Sequence, residues 1–210
     1  MIDEVLIVDL FESGDALVNG DASAMERLLP RLKRSESYND LPMLFYVADS
    51  IESLEFLAAN DVELFQKSNL GGGNLLHRVA LEHDDPVFEW VLAWYRKHDR
   101  VDQADDHGIT VLSMLLKFGH IERVKRLIDN GASLSSAARN GQTPARQAVI
   151  CMEQERDAMA GLELILSHGL ILGSEELEYL AQTARAINRP TLARWIEEDL
   201  LPAAALQLRK

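Results

Sequence analysis

The chain has 210 residues, 47% of them hydrophobic and 26% charged, with a formal net charge of −13. That composition supports a globular chain with ample core, and its acidity argues against nucleic acid or an anionic membrane as partner, because both would be repelled. No run of 18 apolar residues offers a membrane span, and the single cysteine, Cys151, excludes an internal disulfide and fits a reducing cytosol.

The N-terminus, Met1-Ile2-Asp3-Glu4-Val5-Leu6, is acidic with a short apolar run. A secretory signal needs a basic start and a longer apolar centre, so none is expected and the expected compartment is the cytoplasm. Residues 1–36 show only a fragment of helical patterning, Ala16 to Leu32, with Gly20 as the turn between two helices. A loose helix pair follows over 37–68, opening at Leu41-Pro42-Met43-Leu44 and closing near Leu57.

The pattern sharpens over 69–102. Gly71-Gly72-Gly73 reads as a hairpin tip, and not as a phosphate loop, because no G-K-[ST] follows. Asn74-Leu75-Leu76-His77-Arg78-Val79-Ala80 starts a helix, and Asp85-Pro86 offers an N-cap and a proline for the next. That second helix places Phe88, Val91 and Leu92 on one face and Trp90 and Trp94 on another. Two readings stand for the tryptophans: packing against a neighbouring helix pair, or an outer-face anchor for a partner.

Residues 103–135 read Asp106-His107-Gly108-Ile109-Thr110-Val111-Leu112-Ser113, then Gly119-His120, then Val124, Leu127, Ile128 and Gly131-Ala132. Residues 136–172 restart at Asn140-Gly141-Gln142-Thr143-Pro144, carry about five extra residues at 151–157, and close at Ile165, Leu166 and Gly169. Cys151 reads as a small buried hydrophobe on a helix. In 173–210, Ser174 is expected to cap a helix beginning with Glu175 and Glu176, and Asn188-Arg189-Pro190 separates it from the next.

The stretch 106–132 resembles an ankyrin repeat, whose pattern runs D-x-x-G-x-T-P-L-H-x-A-A, then G-H, then V-x-x-L-L-x-x-G-A. Apolar sets at i, i+3 and i+4 recur from Met25 to Leu192 at spacings of 29, 34, 36, 38 and 30 residues, bracketing the ~33-residue ankyrin unit. The resemblance implies one all-α domain over 1–210. It would be a solenoid of about five helix-turn-helix repeats with atypical terminal caps at 1–36 and 173–210.

Ankyrin proteins bind through the projecting turn tips and the exposed face of the first helix. On this chain the resemblance assigns Tyr46, Asp49 and Ser50, then Arg78, Leu81 and Glu82, then Met114, Lys117 and Phe118, and Gln147 to that helix face. It assigns Asn69 to Gly71, Asp102, Asp105, Asp106, Arg139 and Asn140 to the tips. Tyr46, Met114 and Phe118 would be exposed apolar groups inside an acidic rim, which suits a protein interface. His77 and His120 take structural positions in the motif, and His83-Asp84-Asp85 reads as a solvated turn without a second His or Cys at ligand spacing.

No catalytic residue, cofactor site or metal site is therefore expected. The expected function is protein binding, as a monomer or in a one-to-one complex with a basic partner. Short acidic ankyrin proteins resemble bacterial immunity proteins of secreted toxins, which implies a toxin inhibitor. A scaffold or host-directed effector is the alternative, and an enzyme on the repeat fold is the third.

Overall fold

In a computed structural model the described residues are 4–207. They are mostly helical, and the chain divides into two compact units, residues 1–107 and 108–210.

Unit 1 opens with α1 (Glu4–Val18) and α2 (Ser23–Leu32), followed by a hairpin of two short strands, β1 (Ser37–Tyr38) and β2 (Leu41–Pro42). Asn39 and Asp40 take φ of 48° and 63°, the pair of positive angles that a two-residue type I′ turn needs. Then come α3 (Leu44–Val47), α4 (Ile51–Ala59), α5 (Leu75–Glu82) and α6 (Asp85–Lys97). Residues 4–32 form a complete helix pair, not the fragment from Ala16 that the pattern suggested. The reason is that α1 carries apolar residues on both its faces, so no stripe stands out. Its inner face is pinned to α2 by Asp9, which is buried and accepts from Arg27 Nε at 2.9 Å and Nη2 at 2.5 Å.

The core of unit 1 follows the helical period. Phe88, Val91, Leu92 and Tyr95 on α6 are all buried, at intervals of three, one and three residues. Tyr95 is thus a core residue, although its phenol keeps a partner by donating to the Leu64 carbonyl at 3.3 Å. Side chains of this size contribute about 1.5–3 kcal/mol each on burial. The N-cap of α6 is Asp84, one residue before the expected Asp85, and its carboxylate accepts from Val87 N–H at 3.2 Å.

Unit 2 contains α7 (Val111–Lys117), α8 (Ile121–Asp129), α9 (Pro144–Val149), α10 (Glu155–Ser167), α11 (Ser174–Ala186) and α12 (Pro190–Trp195). A π-helical turn at Ile196–Leu200 leads into α13 (Leu201–Gln207). α9 contacts both α7 and α11, while α10 contacts α8, α9 and α12. Gly161 permits that closeness, since a Cβ there would lie 3.1 Å from Leu116 Cδ2 and 3.4 Å from Ile121 Cδ1. Two local expectations shift. Gly173 takes the cap position of α11, leaving Ser174 as its first residue without a side-chain cap bond, and buried Cys151 follows α9 in the loop rather than lying on a helix.

Among the described residues, eight helices close in the same way. A residue with positive φ ends each one, and the next N–H bonds the carbonyl five residues back. The closers are Gly20, Ser35, Asp61, Asp99, Gly119, Gly131, Gly169 and Asn188. After α6, where no glycine follows the helix, Asp99 takes that role at φ 55°.

Candidate functional site

The turn tips of unit 1 are zipped together by backbone. Asn69 N–H donates to Asp40 C=O at 3.1 Å, and Asp106 N–H donates to Gly71 C=O at 3.0 Å. Lys67 Nζ donates to Ala104 C=O at 2.7 Å, and Asn74 Nδ2 to Gln103 C=O at 3.0 Å. Gly72, at φ 74°, lies under the Asp106 side chain, where a Cβ would sit 2.2 Å from the carboxylate. Asn69, Asp102 and Asp106 are exposed, and Asp105 is half-buried with its Oδ1 accepting from His107 N–H at 2.8 Å. His77 folds back into a capping box with Asn74, which fixes where α5 begins.

α5 then presents Arg78 to the aromatic residues of α3. The Arg78 guanidinium lies 5.8 Å from the Tyr46 ring centre and 5.9 Å from that of Phe45, and its Nε is 3.0 Å from Glu82 Oε2. Tyr46 meets Phe11 and Tyr38 edge-on, with ring centres 5.4 and 5.6 Å apart. Burial pushes the Tyr46 phenol up from its ordinary value. Asp49 lies against Gly14 of α1, where a Cβ would fall 2.2 Å from its Oδ1. Desolvation there raises the Asp49 carboxyl, although the Ser53 hydroxyl donates to it at 3.3 Å. Desolvation, and then the charge of Arg78, lowers His83.

Tyr46, Arg78 and Glu82 therefore come together, with Leu81 exposed on α5, while Asp49 packs on Gly14 of α1. Ser50 is half-buried, and its Oγ accepts from Ser53 N–H at 3.2 Å to cap α4. The contributions of Phe11, Gly14 and His83 were not read from the sequence. The one available signal was the three-residue spacing of Val5, Val8 and Phe11.

Tyr46 is half-buried by its ring contacts rather than exposed, and the assigned residues of unit 2 depart from the expectation too. Met114 and Phe118 are half-buried rather than exposed, because both border the α7 surface that faces other helices. Lys117 is half-buried, and its carbonyl accepts from Met152 N–H at 2.6 Å. Gln147 is buried instead of facing a groove. Arg139 and Asn140 are exposed on the turn that Gly141 completes. His120, at the N-cap of α8, is exposed and makes no side-chain cap bond. A strong polar group that the sequence did not reveal is Arg146. It pairs with both oxygens of Glu176 at 2.7 and 2.6 Å and lies 4.3 Å over the Tyr179 ring.

Trp90 and Trp94 stack on α6 with ring centres 5.4 Å apart and an interplanar angle of 8°, each half-buried. Lys97 Nζ sits 5.5 Å from the Trp94 ring. A shallow cleft beside Trp94 is lined by Phe65, His98, Asp61 and Glu63. Among the described residues, no group of three His, Cys, Asp or Glu side chains is arranged to hold a metal ion, and no helix is long and apolar enough to cross a membrane.

Charge is divided as sharply as the fold. Residues 1–107 hold 22 acidic and 9 basic side chains, a net of −13, whereas residues 108–210 hold 12 of each. The whole formal charge of the chain therefore resides in unit 1. No family model matches the chain, and no curated protein matches it in sequence.

Proposed function

We propose that this chain is an ankyrin-type solenoid that works as a non-catalytic protein-binding module, specifically a cytoplasmic inhibitor of the immunity type for a basic toxin or enzyme. The repeat reading is supported by the first-helix caps Asn74, Thr110 and Thr143, which stand 36 and then 33 residues apart. Each cap side chain accepts from the N–H three residues on. The contacts of α9 with α7 and α11, and of α10 with α8 and α12, also suit stacked pairs.

The observation that carries the binding reading is the charge division, since a surface of net −13 beside exposed tips steers a cationic partner and speeds its association. The test is capture of partners from native lysate at low and high salt, read by mass spectrometry. One basic partner lost at high salt, and weakened by Asp102→Lys with Asn69→Lys, supports inhibition and justifies a neutralisation assay. Several salt-resistant partners favour a scaffold or effector, and capture of no protein overturns the binding reading.

A further inference from the structure

α1 buries Asp9, Leu10, Ser13 and Gly14 against the rest of unit 1. At 100° per residue, the opposite half of its circumference over residues 5–18 is made by Val5, Val8, Phe11, Glu12, Asp15 and Val18, and every one of these is exposed. The four apolar members are between 50% and 59% exposed, in a helix whose inner side is already fully used. Single exposed apolar residues are ordinary, but four on one helical face constitute a patch that calls for an occupant. Over residues 5–18 that face carries two carboxylates, Glu12 and Asp15, and no base.

We infer that this outer face of α1 is a docking surface for a cationic amphipathic segment of a partner protein; the inference rests on the protein-binding reading above and assigns its site. Charge complementarity selects that occupant. An anionic bilayer is repelled by a unit of net −13. The same face of a second copy would set Glu12 and Asp15 against their own kind, at a cost in affinity. A basic segment with an apolar stripe instead covers Val5, Val8 and Phe11 while its lysines or arginines meet Glu12 and Asp15. The patch continues across the Phe11–Tyr46 contact onto the Arg78 cluster, so the segment would abut the groove positions of α5.

The probe is a fluorescein-labelled synthetic helix of about 18 residues with lysine on one face and leucine on the other, titrated into the full chain by anisotropy. Two controls are a glutamate-for-lysine version and a lysine peptide of equal charge with serine for leucine. Salt-sensitive binding of the first peptide alone is expected. Phe11→Ser should weaken it about tenfold, the loss that follows from withdrawing one large apolar contact. Val8→Ser, which leaves the Phe11–Tyr46 ring contact in place, should weaken it in the same direction, and Glu12→Lys with Asp15→Lys should abolish its salt dependence. Equal binding of the serine peptide, indifference to Phe11→Ser and Val8→Ser, or binding only to phosphatidylcholine vesicles would each overturn the inference. If the variants keep a partner captured from lysate, this face is wrong while the protein-binding reading stands; if no protein is captured, that reading fails first.

Discussion

Replacing Gly14 with alanine sets two effects of similar size against each other. In a helix interior alanine is favoured over glycine by about 0.8–1 kcal/mol. Against that gain, the new Cβ would stand 2.2 Å from Asp49 Oδ1 and 2.4 Å from Oδ2, so the carboxylate must move. Moving it forfeits the hydrogen bond from Ser53, about 1 kcal/mol, with about 0.5–1.5 kcal/mol more if the side chain leaves its rotamer well. Gly14→Ala alone should therefore lie between neutral and about 1.7 kcal/mol destabilising. In an Asp49→Ala background nothing opposes the helix gain, and the same substitution should stabilise by about 1 kcal/mol. Urea denaturation of the four proteins in this cycle gives the coupling directly. Additivity within about 0.3 kcal/mol would refute the packing of Asp49 on Gly14.

Asp49→Asn should stabilise the chain only slightly at neutral pH: desolvation against α1 raises the folded-state carboxyl above 3.8, so ionisation costs stability as pH rises through that window, but Asp49 as a whole is exposed and water screens the effect. The advantage should fade as pH is lowered to 3.8 and below, which thermal denaturation across pH would record. His83 acts with the opposite slope: its folded-state value is lowered from 6.5, so its contribution to stability should fall as pH drops through 6.5, and His83→Gln should flatten that part of the profile. Glu176→Gln should destabilise unit 2 by about 1–2 kcal/mol, since Arg146 keeps its stacking on Tyr179 but loses a two-point, partly buried ion pair; a loss under about 0.3 kcal/mol in denaturant melts would show that the pair is solvent-screened. Asp99→Gly should stabilise by up to about 1 kcal/mol by relieving a positive φ, while Gly131→Ala should cost about that much at φ 90°.

The helices from α5 onward were the most legible part of the chain, because Asn74, Thr110 and Thr143-Pro144 announce their starts and Gly119, Gly131 and Gly169 their ends. Where the chain ends a helix with Ser35, Asp61 or Asp99, the same backbone state is held by side chains that also occur in ordinary loops, so the sequence carries no comparable mark. α1 escaped for the opposite reason: apolar residues on two faces blur its period, leaving only the three-residue spacing of Val5, Val8 and Phe11. Tyr95 falls between the two cases. Its spacing from Val91 and Leu92 fits the core stripe, but its hydroxyl and its neighbours Trp94 and Arg96 make it look like part of the outer face. The cluster around Tyr46 was legible for the residues of α3 and α5. It was not legible for Phe11 and Gly14, which reach it from the distant α1. Summing charge over the whole chain hid its confinement to residues 1–107.

The shared closing turn also sets how the chain can change in length. The second helices of successive pairs, α4, α6, α8 and α10, have 9, 13, 9 and 13 residues. The difference of four residues is close to one helical turn of 3.6, which adds about 6 Å of length and rotates the end by only about 40°. Asp99 and Gly169 thus return nearly to the azimuth that Asp61 and Gly131 hold in the shorter helices, and the apolar stripe stays on its face. Growth in such a chain is quantised: a whole turn slips in without disturbing its neighbours, whereas two extra residues would swing both the stripe and the seal more than half way round toward water.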